Sequence, residues 1–185
     1  MRCLGIDPGT KKCGWAILNM DTTVANEDFE RVIAKGHDDL DEIRQIINGK
    51  LGYLDCIFIE GTVRYKVSNS DDLLKTTIMV GRLLEIAEHP NQIIPTVKVM
   101  TRPEVILKLT GKWPGRTNKV SKARLQEIVQ CLLGLEKPIR PQHANDAAAL
   151  IVAATNPVKA IVNVKPIRKG RRPAQAKSSR RPKHS

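Results

Sequence analysis

Two carboxylates stand where an apolar stretch of the chain ends and the chain must turn. Asp7 closes the stretch 3–6 and is followed by Pro8, and Glu60 closes the stretch 56–59. An ionised acid at the end of a buried strand is costly unless a cation lies near it. If the two strands are neighbours, both carboxylates lie at one edge of the sheet, close enough to share a cation.

A third acidic element opens an apolar segment near residue 150. His143 and Asp146 are spaced i, i+3, which places both on one face of a helix. Taken alone, Asp146 could complement the helix dipole, and His143 could be a cap or a surface residue. If all three elements converge, they fit a pair of hard cations about 4 Å apart, the arrangement used for phosphodiester hydrolysis. One cation would activate water and the other would stabilise the leaving 3′-oxygen.

The elements that must position these residues follow from hydrophobic periodicity and from turn residues. The first two strands are expected to form an antiparallel hairpin, and the apolar fourth strand suits the interior of a sheet. The order of elements predicts a mixed α/β sheet with helices on both sides. The expected strands cover 2–7, 13–20, 29–35, 54–60 and 93–99, and the expected helices cover 38–48, 71–89, 102–109, 119–133 and 143–155.

The length of 185 residues predicts one globular domain, expected over 1–160, followed by a basic C-terminal tail over 161–185. The net charge is +12, and nine Lys and Arg residues in 165–185, with no acid, leave only +3 for the rest of the chain. A proline-rich basic tail with little to bury is expected to be disordered and to contact nucleic-acid phosphates. It could instead be a solubilising tail or a localisation signal.

Composition argues against several other classes of protein. No apolar run approaches the roughly 20 residues that a membrane span needs, and Asp7 stands where a signal peptide would be apolar. We therefore expect an intracellular protein. The four cysteines are scattered along apolar runs without a zinc-binding spacing, which predicts reduced core residues rather than a zinc site.

Four segments together resemble the RuvC family of Holliday-junction resolvases. They are 5–10 with 14–16, then 58–60, then 143–150, in the family's order and at compatible separations. The first segment alone also resembles the opening of actin-like kinases, but the set is specific, and the match covers roughly 1–156. The resemblance implies an RNase H-like fold over 1–160, with a five-stranded mixed sheet whose first three strands are antiparallel and helices on both faces.

The same resemblance implies the chemistry. Asp7, Glu60, His143 and Asp146 would surround two Mg²⁺ ions, with Mn²⁺ able to substitute, and His143 would either bind metal or orient the attacking water. The enzyme would be a structure-selective endonuclease of DNA recombination and repair. It would resolve Holliday junctions by nicking two symmetric strands, leaving 5′-phosphates, in the cytoplasm, at the nucleoid or as a viral protein in its host.

The resemblance also implies a homodimer and a set of DNA contacts. The helix 71–89 is the expected dimer interface, unless it is buried on two sides within one monomer. Lys122 matches a family residue that meets a phosphate near the cleaved bond, and it is a candidate catalytic residue because it could stabilise the charge that develops there. Tyr65 would stack on an unpaired base or lie at the sheet edge. The family has a second lysine, but in this sequence its position is occupied by Ile106. The other expected DNA contacts are Arg64, Lys66, Lys108 (the nearest substitute for that lysine), Lys112, Arg116 and Lys119.

Other readings remain open at this point. Trp113 and Pro114 depart from the family's glycine-rich loop, which keeps a related RNase H-like nuclease possible, specific for branched DNA of the phage type or for RNA:DNA hybrids. An actin-like phosphotransferase would need a second domain that the chain lacks. A non-catalytic DNA-binding protein would have no use for Asp7, Glu60 and Asp146. A branch-migration motor is a possible partner that the sequence does not identify.

Overall fold

The computed structural model describes residues 1–20, 31–62, 70–88, 95–115 and 119–155. These ranges contain five strands and five helices. The strands are β1 (Arg2–Pro8), β2 (Cys13–Asn19), β3 (Val32–Asp38), β4 (Cys56–Gly61) and β5 (Thr96–Thr101). The helices are α1 (Leu40–Ile47), α2 (Ser70–Glu88), α3 (Arg102–Thr110), α4 (Lys122–Leu133) and α5 (Gln142–Thr155).

The strands form one mixed sheet in the order β3-β2-β1-β4-β5. The first three strands are antiparallel, and β4 and β5 run parallel to β1. The predicted sheet is therefore confirmed, including the interior position of β4.

Helices cover both faces of this sheet and enclose two apolar cores. One core lies between the sheet and α1 and α2, and the other lies between the sheet and α3, α4 and α5. The alanine-rich α5 is buried from Ala144 to Ala153. Its small side chains let the helix pack closely against the sheet on one side and against α3 and α4 on the other. This central helix carries two of the candidate site residues.

Several predicted boundaries were wrong, and local hydrogen bonds explain the differences. Strand β3 continues to Asp38, whose carboxylate accepts a 2.8 Å hydrogen bond from Trp15 Nε1, so that α1 begins only after Asp39, its N-cap. Helix α4 begins at Lys122 rather than at 119, because the Ser121 hydroxyl accepts a 3.1 Å bond from the Arg124 N–H as an N-cap.

Strand β5 also ends later than predicted, at Thr101 rather than at 99. Met100 and Thr101 still pair with Glu60 and Gly61 of β4, which extends the ladder to the edge where Glu60 lies. Residues 93 and 94 of the predicted strand lie outside the described ranges.

The cysteines are free thiols, but only Cys3 and Cys13 are buried. Burial raises the pKa of Cys3 to about 12 and that of Cys13 to about 11. Cys56 is half-buried and Cys131 is exposed on α4, so the prediction that all four are core residues was wrong for Cys131. Of the helices described, none combines the length and apolar character that a bilayer span requires.

Candidate active site

Asp7 and Glu60 lie side by side at one edge of the sheet. The pairing of β1 with β4 ends at Ile6 with Ile59, so each carboxylate follows directly after a paired residue. Side chains alternate between the two faces of a strand. Ile6 and Ile59 belong to the core under α1 and α2, and Asp7 and Glu60 therefore face the side covered by α5.

Two glycines let α5 lie close to this edge. A Cβ atom on Gly14 of β2 would overlap the Cβ and backbone of His143, and one on Gly5 of β1 would overlap the backbone carbonyl of Ala147. Gly14 pairs directly with Asp7 across the hairpin. Gly5, two residues before Asp7, and Gly14, its partner in the hairpin, thus allow the close approach that brings α5 to the carboxylate.

Asp7, His143 and Asp146 converge at the start of α5. His143 Nδ1 lies 2.9 Å from Asp7 Oδ2. One ligand atom from each of the three residues fits within a cluster in which all the atoms lie within 4.8 Å of one another. The i, i+3 spacing predicted for His143 and Asp146 puts both on the face of α5 that meets β1.

Glu60 lies outside this three-residue cluster but lines the same cavity as Asp7. The cavity has a volume of about 570 Å³ and a mostly apolar wall. Arg102 and Ile106 of α3 stand on one side of it, and Leu73 and Thr76 of α2 on another. The acidic residues therefore open onto a space framed by α2 and α3.

Asp146 has the environment of a cation ligand. Its side chain is 2% exposed, and neither carboxylate oxygen has a hydrogen-bond partner among the residues that the structure describes. Arg102 Nη1 and Lys122 Nζ approach Oδ2, but at 3.7 and 3.6 Å, which is beyond hydrogen-bond length. A buried carboxylate without hydrogen bonds is costly, and a bound divalent cation would satisfy it. The donor set of carboxylates and one imidazole suits Mg²⁺ or Mn²⁺.

Two of the acids, Asp7 and Glu60, have raised pKa values, chiefly because they are buried. Burial raises the pKa of Glu60 to about 7, and the negative charge of Asp7 adds to the effect. Burial also raises the pKa of Asp7, against the hydrogen bond from His143, which lowers it. In both cases the positive charge of Arg102 partly offsets the increase. A site with this excess of buried negative charge favours the binding of cations.

Two residues at the site were missed from the sequence. His37 of β3 pairs with Gly14, and its ring stacks on that of His143 with centroids 4.8 Å apart and planes at 15°. Arg102, the first residue of α3, lies with its Nη1 atom 3.7 Å from Asp146 Oδ2. No local pattern marks either residue, because β3 and α3 meet α5 only through the tertiary fold.

The predicted DNA contacts are spread over a wider area. Lys122 lies at the site, beside Asp146. Lys112 and Lys119 are exposed. Lys108 lies near Glu104 on α3 and is not on the wall of the cavity. The predictions for Arg64, Tyr65, Lys66 and Arg116 fall outside the described residues.

The chain is similar in sequence to known junction-cleaving enzymes. A family model described as crossover junction endodeoxyribonuclease RuvC matches residues 3–155. The RuvC protein of Gloeobacter violaceus is 30% identical over 163 residues, which cover 81% of this chain and 85% of that protein. The RuvC protein of Wolinella succinogenes is 28% identical over 167 residues, covering 86% and 96% respectively.

The fold is also similar to that of a solved structure. Thermus thermophilus RuvC superposes with a TM-score of 0.62 at 18% identity, covering 83% of this chain and 92% of that one. The same protein has been solved in complex with a Holliday junction substrate, with the same degree of similarity. This likeness confirms the RNase H-like fold expected from the sequence.

Proposed function

The chain belongs to the RuvC family of crossover junction endodeoxyribonucleases, and we propose that it resolves Holliday junctions by nicking two symmetric strands with metal-activated water. The observation that carries this proposal is the buried Asp146 carboxylate, which lacks hydrogen bonds and stands beside Asp7 and His143. Such a constellation is of no use for merely binding an anionic polymer, since carboxylates repel phosphates unless a cation lies between them.

Asp7, Glu60, His143 and Asp146 would hold two Mg²⁺ ions, for which Mn²⁺ could substitute. Bound there, the ions would activate a water and would neutralise charge on the leaving 3′-oxygen. Breaking the bond between phosphorus and that oxygen leaves the phosphate on the 5′ end of the product. Asp7 and Glu60 stand on rigid strand ends, and Asp146 is fixed by the buried α5. The protein's part is therefore to hold the acidic groups at fixed positions before the DNA arrives.

His143 has two possible roles in this scheme. Its Nδ1 atom lies 2.9 Å from Asp7 Oδ2, and one of its ring nitrogens belongs to the group of possible ligand atoms that it forms with Asp7 and Asp146. Coordination of a metal ion is therefore the first role, and orientation of the attacking water is the alternative. The stack on His37 restricts rotation of the ring. His37 is thus expected to keep His143 aligned with Asp7.

Lys122 would contact a phosphate close to the cleaved bond. Its ammonium lies 3.6 Å from Asp146, while most of its side chain is exposed and can reach the DNA. Exposed Lys112 and Lys119 would extend the basic surface along the strand. Arg64, Tyr65, Lys66, Lys108 and Arg116 remain predicted contacts from the family resemblance.

A homodimer would give two active sites for two symmetric strands. Helix α2 buries Met79, Val80 and Leu83 in its own subunit, but it exposes Leu74 by 60% and Ile78 by 48%. The exposed pair, spaced i, i+4, lies on one face of the helix and supports an interface with a second copy of α2. Its exposure also means that α2 is not buried on two sides within one monomer.

The substrate is tested by comparing three labelled DNAs at equal concentration in Mg²⁺: a four-way junction, a linear duplex of the same sequence and an RNA:DNA hybrid. We expect paired nicks at symmetric positions of the junction and rates at least about a hundredfold lower on the other two. Equal cutting of the hybrid or of the duplex would reject the junction assignment in favour of a related nuclease of broader specificity.

A further inference from the structure

Arg102 is the one basic residue of α3 on the wall of the cavity that contains Asp7 and Glu60. From this placement, and resting on the nuclease function proposed above, we infer that Arg102 is a catalytic residue. Its guanidinium fork would grip the non-bridging oxygens of the phosphate that is cleaved.

The backbone places Arg102 at a fixed point beside the acidic residues. Thr101 pairs with Gly61, the residue after Glu60, and Arg102 follows directly as the first residue of α3. The Glu104 carboxylate accepts 2.7 Å hydrogen bonds from the Thr101 N–H and hydroxyl, which fixes the first turn of the helix. The backbone of Arg102 is therefore held in place by the same strand pairing that holds the end of β4, where Glu60 lies.

The charged end of Arg102 is near the acids but is not tied to them. Its closest acidic contact is Asp146 Oδ2 at 3.7 Å, and no hydrogen bond from its guanidinium is found within the described ranges. Its positive charge acts on both Asp7 and Glu60. The side chain is 33% exposed. Its donors are therefore available to a ligand lying between the three carboxylates, which is where a phosphate held by two cations would lie.

No other residue of α3 can take this role. Ile106, one turn further along the same wall of the cavity, is apolar. Lys108 has its charge near Glu104, four residues earlier on the helix. Lys122, from α4, approaches the same Asp146 oxygen as Arg102. Arg102 and Lys122 thus place two positively charged side chains beside the acidic cluster. Of the two, only Arg102 has a planar guanidinium that can bind two phosphate oxygens at once.

The alternative role for Arg102 is that of a counter-ion that only neutralises Asp146. The two roles predict opposite effects of metal concentration. Removing a mere counter-ion would leave the acids more negative and Mg²⁺ binding tighter, with full cleavage at saturating Mg²⁺. Removing a phosphate ligand would leave a slow rate that no concentration of Mg²⁺ restores.

The test is single-turnover cleavage of a saturating four-way junction, titrated with Mg²⁺, by the wild-type enzyme and by Arg102→Gln, Arg102→Lys and the control Arg44→Gln. Arg44 is an exposed arginine on α1, paired with Asp41, and its replacement removes the same charge away from the site. Junction binding is measured in Ca²⁺ and folding by thermal melting. We expect Arg102→Gln to cut about a hundredfold or more slowly at saturating Mg²⁺, to bind the junction within about tenfold of wild type, and Arg44→Gln to cut normally.

Arg102→Lys keeps the charge but loses the fork, and should cut about tenfold faster than Arg102→Gln yet remain slower than wild type. Arg102→Gln cutting at the wild-type rate, with or without extra Mg²⁺, would overturn the inference. If Arg102→Gln does not fold, Arg102→Lys decides, and a wild-type rate for that variant would overturn it. Failure of the wild-type enzyme to cut any DNA would instead reject the proposed function, and this inference with it.

Discussion

At the scale of single residues, the site is defined by acids whose burial is not balanced by hydrogen bonds. Asp146 is enclosed without a hydrogen-bond partner in the described part of the chain. The carboxylate of Asp7 has one hydrogen bond, to His143, and burial still raises its pKa. The positions of Asp7, Glu60 and Asp146 could be predicted, because each stands where an apolar segment meets a turn or a helix start. Arg102 and His37 could not, because their relation to the acids depends on how α3 and β3 pack against α5.

The raised pKa of Glu60 predicts a measurable effect on stability. Burial raises the pKa of Glu60 from about 4.5 to about 7, so between these pH values the folded chain keeps a proton that the unfolded chain has released. Stability is therefore lost as pH rises between these values and stays lost above them. In EDTA, Glu60→Gln should melt roughly 3 to 8 °C above wild type at pH 8 and at the same temperature as wild type at pH 4.

Thermal melting at both pH values provides the measurement for Glu60, and Glu85→Gln on the exposed side of α2 is a suitable control. Added Mg²⁺ should stabilise the wild-type enzyme more than Glu60→Gln. A variant that melts below wild type at pH 8 in EDTA would show that Glu60 is not under electrostatic strain.

At the scale of the elements, close packing of α5 on β1 and β2 converts a sequence pattern into a site. Gly5 and Gly14 have no side chain to hold α5 away, and the alternation along β1 and β4 turns both acids toward that helix. The hairpin, the interior strand and α5 were predictable from apolar patterns. The ends of β3 and β5 were not, since they are set by pairing with distant residues.

The predicted homodimer depends on the exposed apolar residues of helix α2. The double variant Leu74→Glu, Ile78→Glu should convert a dimer of the 20.6 kDa chain into a monomer, because it places charges in an apolar contact. Light scattering coupled to size-exclusion chromatography gives the mass. Lys75→Glu, at an exposed polar position of the same helix, serves as the control and should stay dimeric. A wild-type chain that elutes as a monomer at micromolar concentration would contradict the proposed interface.

At the scale of the whole molecule, the charge is divided between an almost balanced domain and a strongly basic C-terminal segment. Nine of the 31 Lys and Arg residues fall within 165–185, which lies outside the described residues. The organisation into one domain over 1–160 stays a prediction from the length of the chain, and the family match covers residues 3–155. The role of the tail remains a prediction from composition.

Deletion of 161–185 should weaken junction binding and make it less sensitive to salt. Each phosphate contact that is lost reduces the slope of log K against log salt by about 0.9, so a change of several units is expected. The rate at saturating junction should stay the same, since no candidate site residue is removed. Fluorescence anisotropy at four salt concentrations measures the slope, and an unchanged slope would show that the tail does not contact DNA.

The proposed function depends above all on Asp7, which would hold a metal ion needed to hydrolyse the phosphodiester bonds of a four-way junction. The decisive experiment is single-turnover cleavage of a labelled synthetic junction in Mg²⁺ or EDTA, by the wild-type enzyme and by Asp7→Asn, with junction binding measured in Ca²⁺. We expect paired symmetric nicks that require Mg²⁺ and whose rate falls at least about a thousandfold in Asp7→Asn, while junction binding stays within a few-fold of wild type. Cleavage by Asp7→Asn within about tenfold of the wild-type rate, or undiminished cleavage in EDTA, would contradict this role of Asp7.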